Sequence, residues 1–124
     1  MQTIHTDKAP AAIGPYSQAK KVGDWLFLSG QGPISPATGL IEGDITEQTE
    51  MTMKNVGAVL EAAGADFENV VSVTCYLADM ELFAAFNEVY AKYFPHKPAR
   101  TCIAARELPK KMLCEVQIIA YCGE

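Results

Sequence analysis

The sequence predicts an α+β fold, a mostly antiparallel sheet with two helices packed on one face. Three observations carry this expectation. Two stretches place apolar residues at three- and four-residue intervals, others alternate or are rich in β-branched and aromatic residues, and the order runs strands first, then helix, strand, helix, strands. Two helices cover only one face of such a sheet. A length of 124 residues fits one domain, spanning 1–124.

After the punctuation Pro10 to Pro15, the run Asp24-Trp25-Leu26-Phe27-Leu28-Ser29-Gly30-Gln31 reads as a strand that ends at glycine. Gly30, Gly32, Pro33, Pro36 and Gly39 then make a turn-rich loop. From Thr46 to Ala63, Met53, Val56, Leu60 and Ala63 recur at helical spacing, and Gly64 stands where a C-terminal cap belongs. Asp44 or Thr46 can cap its start, Asp44 having Glu47 three residues on as a capping box requires.

Val70–Leu77 alternates as a central strand, with Val71, Val73, Cys75 and Leu77 expected on one face. Asp79 can cap a second helix through about Phe94, closed by Pro95. Two strands follow, about Arg100–Ala105 and Leu113–Cys122, joined through Leu108-Pro109-Lys110. The last puts Cys114, Val116, Ile118 and Ala120 on one side, against Leu113, Glu115, Gln117, Ile119 and Tyr121. That second face is half-polar, which fits either a covering partner subunit or an ordinary solvent-facing sheet.

Composition narrows the function classes. With 49% hydrophobic and 20% charged residues the chain has material for a core and reads as a soluble globule. The net charge of −5 and the scattered lysines and arginines are a poor footprint for a phosphate backbone, so nucleic acid is not an expected partner. No stretch approaches the ~18 apolar residues of a membrane span, and MQTIHTDKAP lacks an apolar signal core, so a cytoplasmic location without membrane contact is expected. Cys75, Cys102, Cys114 and Cys122 show no zinc spacing and read as free thiols. Gly30-Gln31-Gly32 lacks the third glycine and following helix of a dinucleotide fingerprint.

A few side chains could carry chemistry. Arg100 opens a strand after Pro98-Ala99, where its planar fork suits a small carboxylate or an ordinary surface ion pair. Glu115 interrupts an apolar strand, and a carboxylate there is paired, at a rim, or held for acid–base work on a water. Cys102 shares a strand face with Arg100 and reads as a packed thiol or, lacking a local histidine, less readily as a nucleophile. Ser29 and Tyr16 are hydroxyls near turns.

Taken in order, Ala9-Pro10-Ala11-Ala12-Ile13-Gly14-Pro15-Tyr16-Ser17-Gln18, Leu28-Ser29-Gly30-Gln31, Pro98-Ala99-Arg100-Thr101-Cys102 and Glu107-Leu108-Pro109-Lys110 leading into Cys114-Glu115-Val116 closely resemble the RidA family, also called YjgF-type proteins. The resemblance spans essentially the whole chain. It implies a chorismate-mutase-like fold in which three subunits join their sheets into a homotrimeric barrel, with a site in each interface. It implies hydrolytic deamination of reactive 2-imino acids and enamines, such as 2-aminoacrylate and 2-iminobutanoate, to 2-keto acids and ammonia, with no metal or other cofactor. Carried over by motif, Arg100 would clamp the carboxylate, Ser29 and the Cys102 backbone would line the pocket, and Tyr16 would close it. Glu115 would hold the water, with Asn87 as a pocket neighbour. Thr101 stands where some relatives carry serine. The competing functions are endoribonuclease or translation inhibitor, and a non-catalytic carboxylate-binding or chaperone-like trimer.

Overall fold

The computed structural model describes residues 1–123. Six strands form one sheet: β1 (Gln2–Ile4), β2 (Ala19–Val22), β3 (Trp25–Leu28), β4 (Val70–Leu77), β5 (Ala99–Ala104) and β6 (Cys114–Tyr121). Helices α1 (Ile45–Ala62) and α2 (Phe83–Tyr93) pack on one side of it. The strand order is β1-β2-β3-β6-β4-β5, antiparallel throughout except for β4 and β5, which are parallel and connected through α2. The expected class, a mostly antiparallel sheet with two helices on one face, is the observed one.

Local chemistry explains the elements. Asp44 and Glu47 form the capping box, Glu47 N donating to Asp44 Oδ1 at 3.0 Å and Asp44 N to Glu47 Oε1 at 3.3 Å. At the other end Gly64 takes φ 78°, and Ala65 N donates to Leu60 O while Gly64 N donates to Glu61 O. This pair of bonds is a Schellman stop, which only a residue tolerant of positive φ ends well. Met53, Val56, Val59 and Leu60 of α1 meet Val73, Cys75, Leu77, Val116 and Ile118 of the sheet, all fully buried.

Four expectations need correction. The sequence delimits a single strand before α1, whereas β1 and β2 precede that strand in the structure. They are short, and the Lys20-Lys21 pair hides the alternation of β2, which the hairpin with β3 settles by pairing Val22 with Trp25 across Gly23-Asp24. The first expected strand, Asp24 to Gln31, is shorter, because the chain leaves the ladder after Leu28 and only Gln31 returns to bridge Val116. Val71 does not share the face of Val73, since a bulge between Val70 and Ser72 shifts the register and leaves Val70 buried and Val71 exposed. Asp79 caps a short 3-10 turn, Met80–Leu82, through Glu81 N, and α2 proper begins at Phe83. Among the described residues no helix is long and apolar enough to cross a membrane.

Candidate functional site

Arg100 is the second residue of β5, an edge strand, and lies in register with buried Val73. It therefore leans toward the helix side, where α2 receives it. Its Nη1 donates to Asn87 Oδ1 at 2.6 Å, and its Cζ lies 4.6 Å from the Tyr90 ring centroid and 5.5 Å from that of Phe83. Phe83, Asn87 and Tyr90 fall at i, i+4 and i+7, one face of α2. Among the described residues no carboxylate pairs with Arg100, so most of the five guanidinium donors remain available. Arg100, Asn87, Tyr90, Lys97 and Pro98 line an open groove of about 350 Å³.

Glu115 occupies the opposite face. Its neighbours Cys114 and Val116 are buried toward the helices, so the alternation of β6 turns Glu115 the other way, in register with Tyr76. It lines a second cleft of about 280 Å³ with Tyr16, Gly30, Gln31, Ile34 and Met112. Partial burial pushes its carboxyl up from the ordinary glutamate range by withdrawing water from the charged form. The carboxylate lies over Gly30, where a Cβ would come within 2.5 Å of Oε2. Glycine at 30 is what lets Glu115 settle against the backbone.

Buried amides hold the walls of this cleft. Gln18 accepts from Thr6 N at 2.8 Å and donates to Pro10 O at 2.8 Å, tying the N-terminal segment down. Asn55 of α1 donates to Gly32 O and Ile34 O at 2.9 and 2.8 Å, fixing the loop after β3. Lys110 and Lys111, at φ 55° and 58°, carry the backbone round the Pro109 turn at the rim. Sequence reading did not single out Gln18, Asn55, Phe83, Tyr90 or Gly30 as site residues. A signal existed for Asn55: Gln48, Thr49, Thr52 and Asn55 make a polar row at helical spacing, and all four are buried.

Of the remaining expected residues, Ser29 and Cys102 stand near these clefts without lining either, and Tyr16 lines the Glu115 cleft. Ser29 Oγ, just past β3, donates to Ser17 O at 2.7 Å. Cys102 sits in register with Cys75 on the parallel pair and packs against the core. Burial raises both thiols, Cys75 to about 12, while the Arg100 charge only partly offsets the rise at Cys102. That favours the packed-thiol reading over a nucleophile, which needs the thiolate. All four cysteines are free. Tyr16 is half exposed at the cleft mouth, and its Oη accepts from Ile13 N at 3.4 Å. The structure thus joins Arg100 with Asn87 and Tyr16 with Glu115, but the two groups line different cavities and lie on opposite sides of one sheet. Among the described residues no three His, Cys, Asp or Glu side chains cluster as metal ligands.

Fold and site together define a small α+β protein that presents an arginine fork at a sheet edge and a half-buried carboxylate on the sheet's open face. The chain belongs to the endoribonuclease L-PSP family, whose model matches residues 6–122. It is 52% identical over 122 residues to a RutC family protein of Pyrococcus abyssi, covering 97% of this chain and 96% of that protein. RidA from an Antarctic Psychrobacter species superposes with a TM-score of 0.94 at 40% identity, over 98% of this chain and 99% of that one. Escherichia coli TdcF with bound serine gives a TM-score of 0.94 at 37% identity, over 98% of each chain. The RidA-type resemblance read from the motifs is the family found.

Proposed function

We propose that the protein is a cytoplasmic imine deaminase that works as a homotrimer, each site combining the Arg100 fork of one subunit with the Tyr16–Glu115 cleft of the next. One observation carries this reading: the cation and the carboxylate lie on opposite faces of a single sheet, so one copy does not bring them together. The open face also exposes Trp25, Phe27 and Ile103 by 44%, 44% and 47%, apolar area that a second copy would cover. The bound serine of TdcF is an α-amino carboxylate, the size of ligand such a fork holds.

The chemistry asks for little machinery. An iminium at C2 is already electrophilic, so holding the carboxylate and a water in place supplies most of the acceleration. Arg100 takes the carboxylate with parallel N–H bonds, and Ser29, the Cys102 backbone and Asn87 border the bound acid. Glu115 accepts a proton from the water as its oxygen bonds to C2. Glu115 then passes that proton to the carbinolamine nitrogen, the C–N bond breaks as the C2 hydroxyl becomes the carbonyl, and the departing ammonia takes up the hydroxyl proton, giving a 2-keto acid and ammonium. For the enamine tautomer, protonated Glu115 delivers a proton to Cβ first, and its upward shift favours that protonated form relative to an ordinary glutamate. Tyr16 closes over the cleft.

The family description names an endoribonuclease, but a net charge of −5 opposes binding to a phosphate backbone. The deciding experiment generates 2-aminoacrylate or 2-iminobutanoate in situ and follows keto-acid release with wild type and Arg100→Ala. Acceleration by wild type, lost in a folded Arg100→Ala, is the expected result. No acceleration with either imine would sink the deaminase reading in favour of a carboxylate-binding one.

A further inference from the structure

We propose that Tyr90, seconded by Phe83, is a positioning residue that fixes the plane of the Arg100 guanidinium, so that the fork is set before any ligand arrives. As a statement about function the inference rests on the deaminase reading; as a statement about the molecule it stands on α2 and β5 alone. Arg100 lies on an exposed edge strand with no carboxylate partner among the described residues, a setting in which a long cationic side chain normally samples many rotamers. Here its guanidinium is caught against two rings, at 4.6 Å from the Tyr90 centroid and 5.5 Å from the Phe83 centroid. Asn87 takes one Nη1 proton at 2.6 Å from the same helix face. Rings bind the cation face-on and leave the coplanar N–H donors free, which is the arrangement a bidentate carboxylate needs.

The ring is the working part of Tyr90. Its hydroxyl is buried with no hydrogen-bond partner, so it does not fix the side chain. Packing does: Phe94 lies 4.6 Å and Phe86 5.8 Å away, centroid to centroid, in an aromatic column under the groove. Tyr90 is only 8% exposed, so the cation–π contact is shielded on the ring's side and keeps more of its strength than an exposed pair.

Two readouts test this on the intact protein. Guanidinium rotation and Nε–H order at Arg100, followed by ¹⁵N NMR without ligand, should be restricted in wild type, mobile in Tyr90→Leu and restricted again in Tyr90→Phe. Unchanged Arg100 dynamics in a folded Tyr90→Leu would overturn the proposal whatever the substrate. In turnover of 2-iminobutanoate, Tyr90→Leu should raise KM by roughly 5- to 30-fold with kcat nearly kept, because the carboxylate contact is shared by ground and transition states, and Tyr90→Phe should recover the wild-type KM. Binding of 2-oxobutanoate by calorimetry completes a double-mutant cycle with Arg100→Ala. A loss from Tyr90→Leu that is as large without Arg100 as with it would mean Tyr90 is merely structural. Failure of wild type to hydrolyse any imine would count against the deaminase reading and leave the NMR result to decide the role of Tyr90.

Discussion

In the proposed deaminase, Glu115 would give up stability for its part in the chemistry. Burial raises its folded pKa, so its stability contribution is fully present below the ordinary glutamate pKa and is lost as pH rises through the raised value. Above that raised value the ionised carboxylate is a net cost. Glu115→Gln should therefore melt at or above the wild-type temperature at pH 7, with the difference gone below pH 4, while imine turnover falls by about two orders of magnitude. The acid limb of kcat/KM in wild type should sit above the normal glutamate range; an ordinary value would remove Glu115 as the titrating group. Gly30 governs the same carboxylate from below. Gly30→Ala puts a methyl within 2.5 Å of Oε2, and because a flexible carboxylate can swing away, the variant should fold but lose most turnover. Calorimetry and the coupled assay separate the two effects. At this scale sequence gave Arg100, Tyr16 and Glu115 as site candidates from residue type and motif. It was silent on Gly30 and Tyr90, whose roles depend on what another strand or helix places over them.

Between elements, the site depends on amides that fasten loops to the helix and sheet. Asn55 is 1% exposed and its Nδ2 spans two carbonyls of the loop after β3. Asn55→Ala leaves both acceptors short of a partner and should cost about 1–3 kcal/mol, read as a lower urea midpoint at unchanged m. It should also loosen Gly30 and Gln31 at the cleft, seen as faster hydrogen exchange in residues 30–34 than elsewhere. Long periodic elements were legible in the sequence: β4 was bounded to the residue, and α1, capped by Asp44 and stopped at Gly64, to within one. The three- and four-residue strands β1 and β2 were not, because so few side chains set no period, and pairing with β3 decides them. The bulge at Val71 was equally hidden, since two valines in succession fit either face until β6 fixes the register.

For the whole molecule, the question is how many copies complete a site. If each site draws on two subunits, mixing inactive Arg100→Ala with inactive Glu115→Gln by co-refolding should restore about a quarter of wild-type activity, the fraction of interfaces that pair the two intact halves at random. Zero recovery from verified mixed assemblies would place the site within one chain. Phe27→Glu, on the open face and 44% exposed in the single chain, should shift sedimentation toward monomer and make the melting temperature depend more steeply on concentration. Sequence by itself determined the class of fold, the extents of α1 and β4, the glycine stop of α1 and the family, because these are written in periodicity, local turn chemistry and ordered short motifs. Tertiary structure alone decided that Arg100 and Glu115 turn to opposite faces, that α2 supplies the rings under the fork, and that a glycine makes room for the carboxylate. The physical reason is that the direction and surroundings of a side chain are set by the register and packing of strands distant in sequence, which no local pattern encodes.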